Sequence, residues 1–106
     1  MAFANVYVTY HRLDIPSGDP AGVGLKGALI NAEALGTTAD GTFVVPPNTR
    51  AIMTVWSDTT IFFAYGPKSA AALAAGQKDL CPANVSLGIP TERVVGPGST
   101  FSCAAA

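Results

Sequence analysis

Short apolar runs alternate with Gly, Pro, Asn and Asp along most of the chain, a pattern typical of β-strands joined by turns. In residues 5–10, NVYVTY, the side chains of Val6, Val8 and Tyr10 fall on one side, so this run predicts a first strand. Residues 59–65, TTIFFAY, are rich in β-branched and aromatic side chains and predict another strand. The Ala-rich residues 70–76 are long enough for only one short helix or a loop.

Other segments are less regular. Residues 13–24, LDIPSGDPAGVG, carry two prolines and three glycines and predict a long loop. Residues 28–35, ALINAEAL, suit a helix by composition, but their length and the turn-like GTTADGTF that follows favour a strand. Residues 83–90, ANVSLGIP, alternate Val85, Leu87 and Ile89 with small or polar residues and also predict a strand.

One phrase occurs twice, as VVPPNTRAIMTV in residues 44–55 and as VVGPGSTFSCAA in residues 94–105. Pro47-Asn48 and Pro97-Gly98 supply the residue types that a type II turn needs at its two central positions. We therefore expect two matching hairpins in opposed sheets. Aligning the copies assigns six residues to the core: Ala51, Met53, Val55, Phe101, Cys103 and Ala105.

About seven short strands with turns between them predict an all-β fold, an antiparallel β-sandwich or small barrel with at most one short helix. The 106 residues are enough for one domain, residues 1–106. Within it, residues 1–41 supply an N-terminal strand and Gly/Pro-rich loops, and residues 42–106 supply the strand-turn-strand core.

The opposite side of the repeated strands is unusually apolar for a surface. It carries Trp56 and Ile52. In the neighbouring run IFF, residues 61–63, alternation places either Phe62 or its two flanking residues on the outer side. Two coverings fit this pattern: the Ala-rich crossover of residues 67–80, or another protein chain. The predicted interface residues are Ile52, Thr54, Trp56, Phe62, Thr100, Ser102 and Ala104. The uncharged final strand, TFSCAAA, further suggests an edge that adds to a partner's sheet.

Charge is scarce and scattered. The chain has six Lys and Arg residues and seven Asp and Glu residues, and its net charge is −1. The basic residues form no sequence cluster that could neutralise successive phosphates, which argues against nucleic acid as a partner. The N-terminal residues lack the pattern of a signal peptide and no run is long enough to span a membrane, so we expect a protein made without export and no membrane partner.

Residues that could support chemistry are few. His11 is the only histidine, with Asp14 and Asp19 near it in sequence, and this is weak support for a metal or acid–base site. GVGLKG, residues 22–27, matches a dinucleotide-binding spacing but follows a Pro-rich loop instead of a strand. We expect no catalytic, cofactor or metal site and no enzymatic activity. Cys81 and Cys103 are expected to be free, buried thiols.

Two further patterns concern carbohydrate: one is a possible glycosylation site and the other a possible sugar-binding surface. Asn84-Val85-Ser86 is a glycosylation triplet, which matters only in an exported protein. Tyr7, Trp56 and Tyr65 are candidates for a platform on which sugar rings stack, so a carbohydrate-binding or adhesive sandwich is an alternative function.

The segments TFVVPPNTRAIMTVWSD, FFAYGP and LCPANVSLGIPTERVVGPGSTFSCAAA resemble small β-rich virion proteins of tailed bacteriophages, especially capsid decoration or cement proteins. The resemblance covers residues 42–106. It implies a structural protein on the outer capsid surface that clamps neighbouring capsid subunits, with the major capsid protein, copies of itself or both as partners. A tail, neck or fibre component is the alternative within the same class.

Overall fold

The computed structural model describes residues 5–14 and 25–106, and for Leu25 the backbone alone. These residues form eight β-strands and one short α-helix. In chain order they are β1 (Val6–Asp14), β2 (Leu25–Leu35), β3 (Ala39–Asp40), β4 (Ala51–Ser57), β5 (Ile61–Gly66), α1 (Ser69–Ala74), β6 (Asp79–Cys81), β7 (Thr91–Val95) and β8 (Thr100–Ala105).

The strands form two antiparallel four-stranded sheets. The first sheet has the order β2-β1-β4-β7, and the second has the order β3-β8-β5-β6. The predicted all-β sandwich-like fold is therefore confirmed, with eight strands in place of about seven. Residues 28–35, which the sequence left between helix and strand, lie within β2.

The core lies between the inner faces of the two sheets. Val6, Val8 and Tyr10 of β1 are fully buried, as the period of two predicted. Aromatic rings fill the centre: the ring of Phe63 lies 5.9 Å from that of Phe101, measured between centroids. Of the six core residues inferred from the repeated phrase, Ala51, Met53, Val55, Phe101 and Cys103 are buried. Ala105 is exposed, because it lies at the last position of β8.

The two turns of the repeated phrase have the expected backbone, but the hairpin prediction is wrong. Asn48 and Gly98 both have positive φ, 58° and 79°, as the second central position of a type II turn requires. Residues 42–46 form no regular strand and do not pair with β4. Each phrase instead crosses from one sheet to the other, so the two turns are arches between sheets.

Side-chain bonds hold the entry to the first arch. One carboxylate oxygen of Glu33, on β2, accepts hydrogen bonds from the backbone N–H of Thr42 at 2.7 Å and of Phe43 at 2.9 Å. The ring of Phe43 then packs on Tyr10, with centroids 4.7 Å apart. These contacts join β2 of the first sheet to the segment that leads out of the second.

The C-terminal strand is not an edge. β8 lies between β3 and β5, so its backbone groups are paired on both sides, and the sequence-based proposal that it adds to a partner's sheet does not apply. The edges are β2 and β7 in the first sheet and β3 and β6 in the second.

Candidate interaction surfaces

The outer face of the first sheet carries three rows of side chains, set by the strand register. The first row joins Leu29, His11, Ile52 and Val94 across all four strands. The second joins Ala32, Thr9, Thr54 and Glu92, and the third joins Ala34, Tyr7 and Trp56. We call this surface, with its apolar members Tyr7, Leu29, Ile52, Trp56 and Val94, the Trp56 face.

The Trp56 face is apolar at its two ends and polar in the middle. The ammonium of Lys26 lies 2.7 Å from a carboxylate oxygen of Glu92, and the hydroxyl of Thr54 donates a hydrogen bond of 2.8 Å to the same oxygen. The bond from Lys26 and then the one from Thr54 hold the pKa of the Glu92 carboxyl below its ordinary value. Because both charged groups of this pair remain partly exposed, we expect the pair to add little to stability.

On the outer face of the second sheet, α1 packs against β5 and β8. The hydroxyl of Ser69, at the start of α1, lies 2.7 Å from the Thr100 hydroxyl and 2.8 Å from the Ser102 hydroxyl. Beyond the helix, Lys78 places its ammonium 4.2 Å from the centre of the Phe62 ring. The Ala-rich crossover thus covers an outer face, but it is the face of the second sheet and not the one that carries Trp56.

The residues predicted to form an interface therefore divide between two surfaces. Ile52 and Trp56 are partly exposed on the Trp56 face, where Thr54 lies beneath the Lys26–Glu92 pair and is buried. The second sheet holds Phe62, Thr100, Ser102 and Ala104 on its outer side. Ser102 is buried under α1, so it is inaccessible to a partner while the helix stays in place.

A third surface is the loop of residues 82–90, which joins the edge strands β6 and β7. Asn84 fixes it to the sheet: its side-chain oxygen accepts a 2.9 Å bond from the Ser57 N–H, and its amide donates a 3.1 Å bond to the Val55 carbonyl. The backbone N–H of Asn84 also donates to the Ser57 carbonyl at 2.9 Å. Asn84 is buried with both ends of its amide bonded, so it is a structural anchor and is inaccessible to glycosylation in this fold.

The predicted strand over residues 83–90 is wrong, because the backbone turns back on itself. Gly88 has a φ of 70°, and its N–H donates to the carbonyls of Asn84 and Val85. The apolar side chains consequently point to solvent: Val85 is 42% exposed, Leu87 66% and Ile89 71%. Leu80, just before the loop on β6, is 54% exposed. The predicted strand placed Val85, Leu87 and Ile89 on one side of a sheet and so missed this surface.

The residues considered for chemistry are not brought together. His11 lies on the Trp56 face, whereas Cys81 and Cys103 lie on the second sheet and are free and buried, as expected. Asp14 pairs with Arg12 at 2.9 Å. Asp19 and residues 22–24 of GVGLKG lie outside the described residues. Within residues 5–14 and 25–106, no three His, Cys, Asp or Glu side chains are grouped as metal ligands.

The three aromatic residues considered for sugar stacking do not form one platform. Tyr7 and Trp56 lie directly opposite each other on the Trp56 face. Tyr65 lies on the other sheet, where its ring stacks on Phe63 with centroids 6.1 Å apart.

In the described part of the chain, no helix is long and apolar enough to cross a membrane.

Comparison with known proteins adds no relative: no family model, no curated protein and no solved structure matches this chain.

Proposed function

We propose that this protein is a structural component of a virion that binds the outside of a phage capsid through the Trp56 face and stabilises the assembled shell. The observation that carries the proposal is the apolar character of both sides of β4. Met53 and Val55 fill the core on one side, while Ile52 and Trp56 remain partly exposed on the other. The resemblance of residues 42–106 to capsid decoration proteins supports the same class of partner.

The Trp56 face has the composition of a protein-binding surface. Leu29 is 57% exposed and Val94 50%, at opposite ends of the same row. Large exposed apolar side chains that share one face are typical of protein-binding surfaces, where aromatic side chains in particular supply much of the binding energy. The Lys26–Glu92 pair at the centre would fix orientation more than it would add affinity.

Stabilisation of the shell follows from mass action. A protein that binds the assembled shell and not the free subunits shifts the equilibrium toward assembly by an amount that grows with its concentration over Kd. No catalytic step is needed, and the sparse charge of the chain limits the desolvation cost of binding.

The test is co-sedimentation of the purified protein with capsids of the phage whose genome encodes it. We expect saturable binding at a fixed number of copies per shell. Val94→Asp should weaken binding by at least about tenfold, which corresponds to about 1.4 kcal/mol, because docking would bury an unpaired carboxylate.

Val44→Asp is the matched control, since Val44 is 52% exposed but lies outside the Trp56 face. It should bind capsids as the unchanged protein does. Absence of capsid binding by the unchanged protein would contradict the proposed function. Equal losses in the two variants would contradict the assignment of the Trp56 face.

A carbohydrate-binding module is the second candidate, and the observation that favours it is that Tyr7 and Trp56 are direct partners across β1 and β4. It predicts glycan binding by the isolated chain that is lost in Trp56→Ala and kept in Tyr65→Ala, with both variants first shown to be folded. Glycan binding without capsid binding would reverse the order of the two candidates.

A further inference from the structure

We infer that the capsid subunit which covers the Trp56 face also adds an extended strand to the first sheet, along the outer edge of β2. This inference rests on the proposed function, because it states how the same partner would bind. In β-strand addition, main-chain hydrogen bonds join an extended segment of one protein to the edge of another protein's sheet.

β2 is the longest edge strand of the described structure. It spans eleven residues, whereas the other edges, β3, β6 and β7, have two, three and five. Its pairing with β1 is continuous from Leu35 to Asn31, and the register then shifts before Leu29. A shift of this kind bends a strand and interrupts the ladder, so residues 31–35 are the regular part of the edge.

The strand register shows which backbone groups of this regular part face outwards. The Asp58 N–H donates to the Asn5 carbonyl at 3.1 Å, so the odd-numbered residues of β1 direct their backbone groups to β4 and the even-numbered residues direct theirs to β2. The even-numbered residues of β1 pair with Asn31, Glu33 and Leu35. Ala32 and Ala34 therefore direct their N–H and C=O groups away from the sheet, and no described residue pairs with those groups.

Little in this part of β2 discourages pairing. Proteins protect sheet edges with lysines, prolines and charges that point inward. Residues 31–35 contain no proline and one charge, Glu33, which pairs with the buried Val8 and so lies on the inner side. The Glu33 carboxylate already accepts bonds from the N–H groups of Thr42 and Phe43, so an added strand would not have to replace water at that oxygen.

Glu33 selects against a second copy of this chain as the added strand. Residues 31–35 are centred on Glu33, so antiparallel pairing of this whole segment with itself would place the Glu33 residues of two copies directly opposite each other. Like charges at directly opposite positions destabilise a strand pair. The bonds to Thr42 and Phe43 hold each carboxylate in place. The added strand is therefore a segment of another protein with no acidic residue opposite Glu33.

The edge is continuous with the Trp56 face, which points to the capsid subunit as the source of the strand. Ala32 lies beside Thr9 and Ala34 beside Tyr7, in the second and third rows of that face. A strand added to β2 would lie about 5 Å further out, and its side chains would extend both rows. Because Ala32 and Ala34 are small, a partner on the Trp56 face can reach the edge without crossing large side chains.

The test is co-sedimentation of Ala34→Pro with capsids of the phage whose genome encodes the protein. Proline removes the outward N–H of residue 34 and places its ring where the added strand would lie. It leaves the hydrogen bonds to β1 intact, because that N–H is not among them, and proline is tolerated at such edge positions. We expect capsid binding to weaken by at least about tenfold.

Two control variants separate the backbone edge from other effects. Leu80→Pro makes the same change at the edge of β6: Leu80 pairs with Phe62, whose backbone groups face β8, so the Leu80 N–H also points outwards. Ala34→Val adds bulk at residue 34 but keeps its N–H. Both controls should bind capsids as the unchanged protein does, and urea unfolding checks that all three variants are folded.

Hydrogen exchange gives a second readout on the unchanged protein. In the free protein the amides of Ala32 and Ala34 should exchange faster than those of Asn31 and Glu33, which are bonded to β1. Binding to capsids should slow exchange at Ala32 and Ala34 by at least about tenfold, because both amides would become part of a ladder.

Each outcome bears on a different claim. Capsid binding with no loss in Ala34→Pro, with an equal loss in Ala34→Val, or with no slowing of exchange at Ala32 and Ala34 would overturn this inference alone. Self-association in sedimentation velocity that Ala34→Pro abolishes would assign the edge to a second copy instead. Absence of capsid binding by the unchanged protein would contradict the proposed function and this inference together.

Discussion

Val45 and Val95 occupy equivalent places in the two copies of the repeated phrase, and each pairs with the segment that follows the other copy's turn. Val95 is the partner of Ala51 at the start of β4. The N–H of Val45 donates to the carbonyl of Ser99, which directly precedes β8, and the Val45 carbonyl accepts from the Gly98 N–H. Both valines are buried. The repeated phrase thus encodes two arches that cross between the sheets and support each other.

The arches depend on a residue that tolerates positive φ after the proline. Gly98→Val should destabilise the protein by about 1 to 2 kcal/mol, because a β-branched residue is strained in the left-handed region. Gly98→Asn should cost clearly less, because asparagine already occupies the equivalent position at residue 48. Urea denaturation measures both.

Gly96→Ala is the control for these turn variants. Gly96 does not have a φ in the left-handed region, and a Cβ there would meet no atom within 4 Å. Equal losses of stability in Gly96→Ala and Gly98→Val would show that backbone conformation at the turn is not the cause.

Much of the fold could be predicted because local patterns decide it. Alternation placed Val6, Val8 and Tyr10 in the core, and the turn residues located the two arches. The pairing of the arches could not be predicted, because hairpins and arches use the same turn residues and differ only in long-range contacts. The alignment of the two copies then failed at Ala105, where the strand ends.

The interaction surfaces were only partly predictable. The sequence predicted an apolar outer side of β4, since Ile52 and Trp56 are an even number of positions apart and therefore lie on the same side of the strand. The sequence did not identify which sheet α1 covers, because that depends on where the crossover returns. The strand predicted over residues 83–90 is absent, because the same alternation of apolar and polar residues occurs in an exposed turn. Gly88 and Pro90 were the signals of a turn in that segment.

Asn84 should be the most sensitive polar residue of the loop. Asn84→Ala removes the side-chain partner of the Ser57 N–H and the donor to the Val55 carbonyl, so we expect a loss of about 2 to 3 kcal/mol in the free energy of unfolding. Ser86→Ala, at an exposed position in the same triplet, should change stability by less than about 0.5 kcal/mol. Similar values for the two variants would show that the Asn84 bonds do not anchor the loop.

The two cysteines should remain unpaired under oxidising conditions. Cys81 and Cys103 lie on β6 and β8, which flank β5, so two strand spacings of about 5 Å each separate their strands. A disulfide needs Cα atoms within about 7 Å. We expect no intramolecular bridge on a non-reducing gel after mild oxidation of the native protein.

Thiol labelling gives a second measure of the same arrangement. Burial raises the pKa of the Cys103 thiol, which lowers the fraction of reactive thiolate. A thiol reagent at pH 8 should therefore label native Cys103 slowly, and labelling should become fast in urea. Fast labelling of Cys103 in the native protein, measured in a Cys81→Ala variant, would contradict its burial.

Tyr10 should make the protein less stable at alkaline pH. Its hydroxyl is buried with no hydrogen-bond partner among the described residues, and burial, followed by the nearby Glu33 carboxylate, raises the pKa of Tyr10 above its ordinary value of 10.0. The unfolded chain therefore ionises first as pH rises past about 10, and stability falls from there by up to about 1.4 kcal/mol per pH unit. Below about pH 10 the phenol is neutral in both the folded and the unfolded chain, so Tyr10 causes no loss of stability there.

Tyr10→Phe tests both consequences, because it removes an unsatisfied hydroxyl and keeps the packing against Phe43. At pH 7 we expect stability unchanged or raised by up to about 1 kcal/mol. Between pH 9 and pH 11 the decline should be shallower than in the unchanged protein, as measured by urea denaturation at each pH. Tyr65→Phe, at a partly exposed ring, should keep the steep decline. A loss of more than about 1 kcal/mol in Tyr10→Phe at pH 7 would show that the hydroxyl has a partner that stabilises the fold.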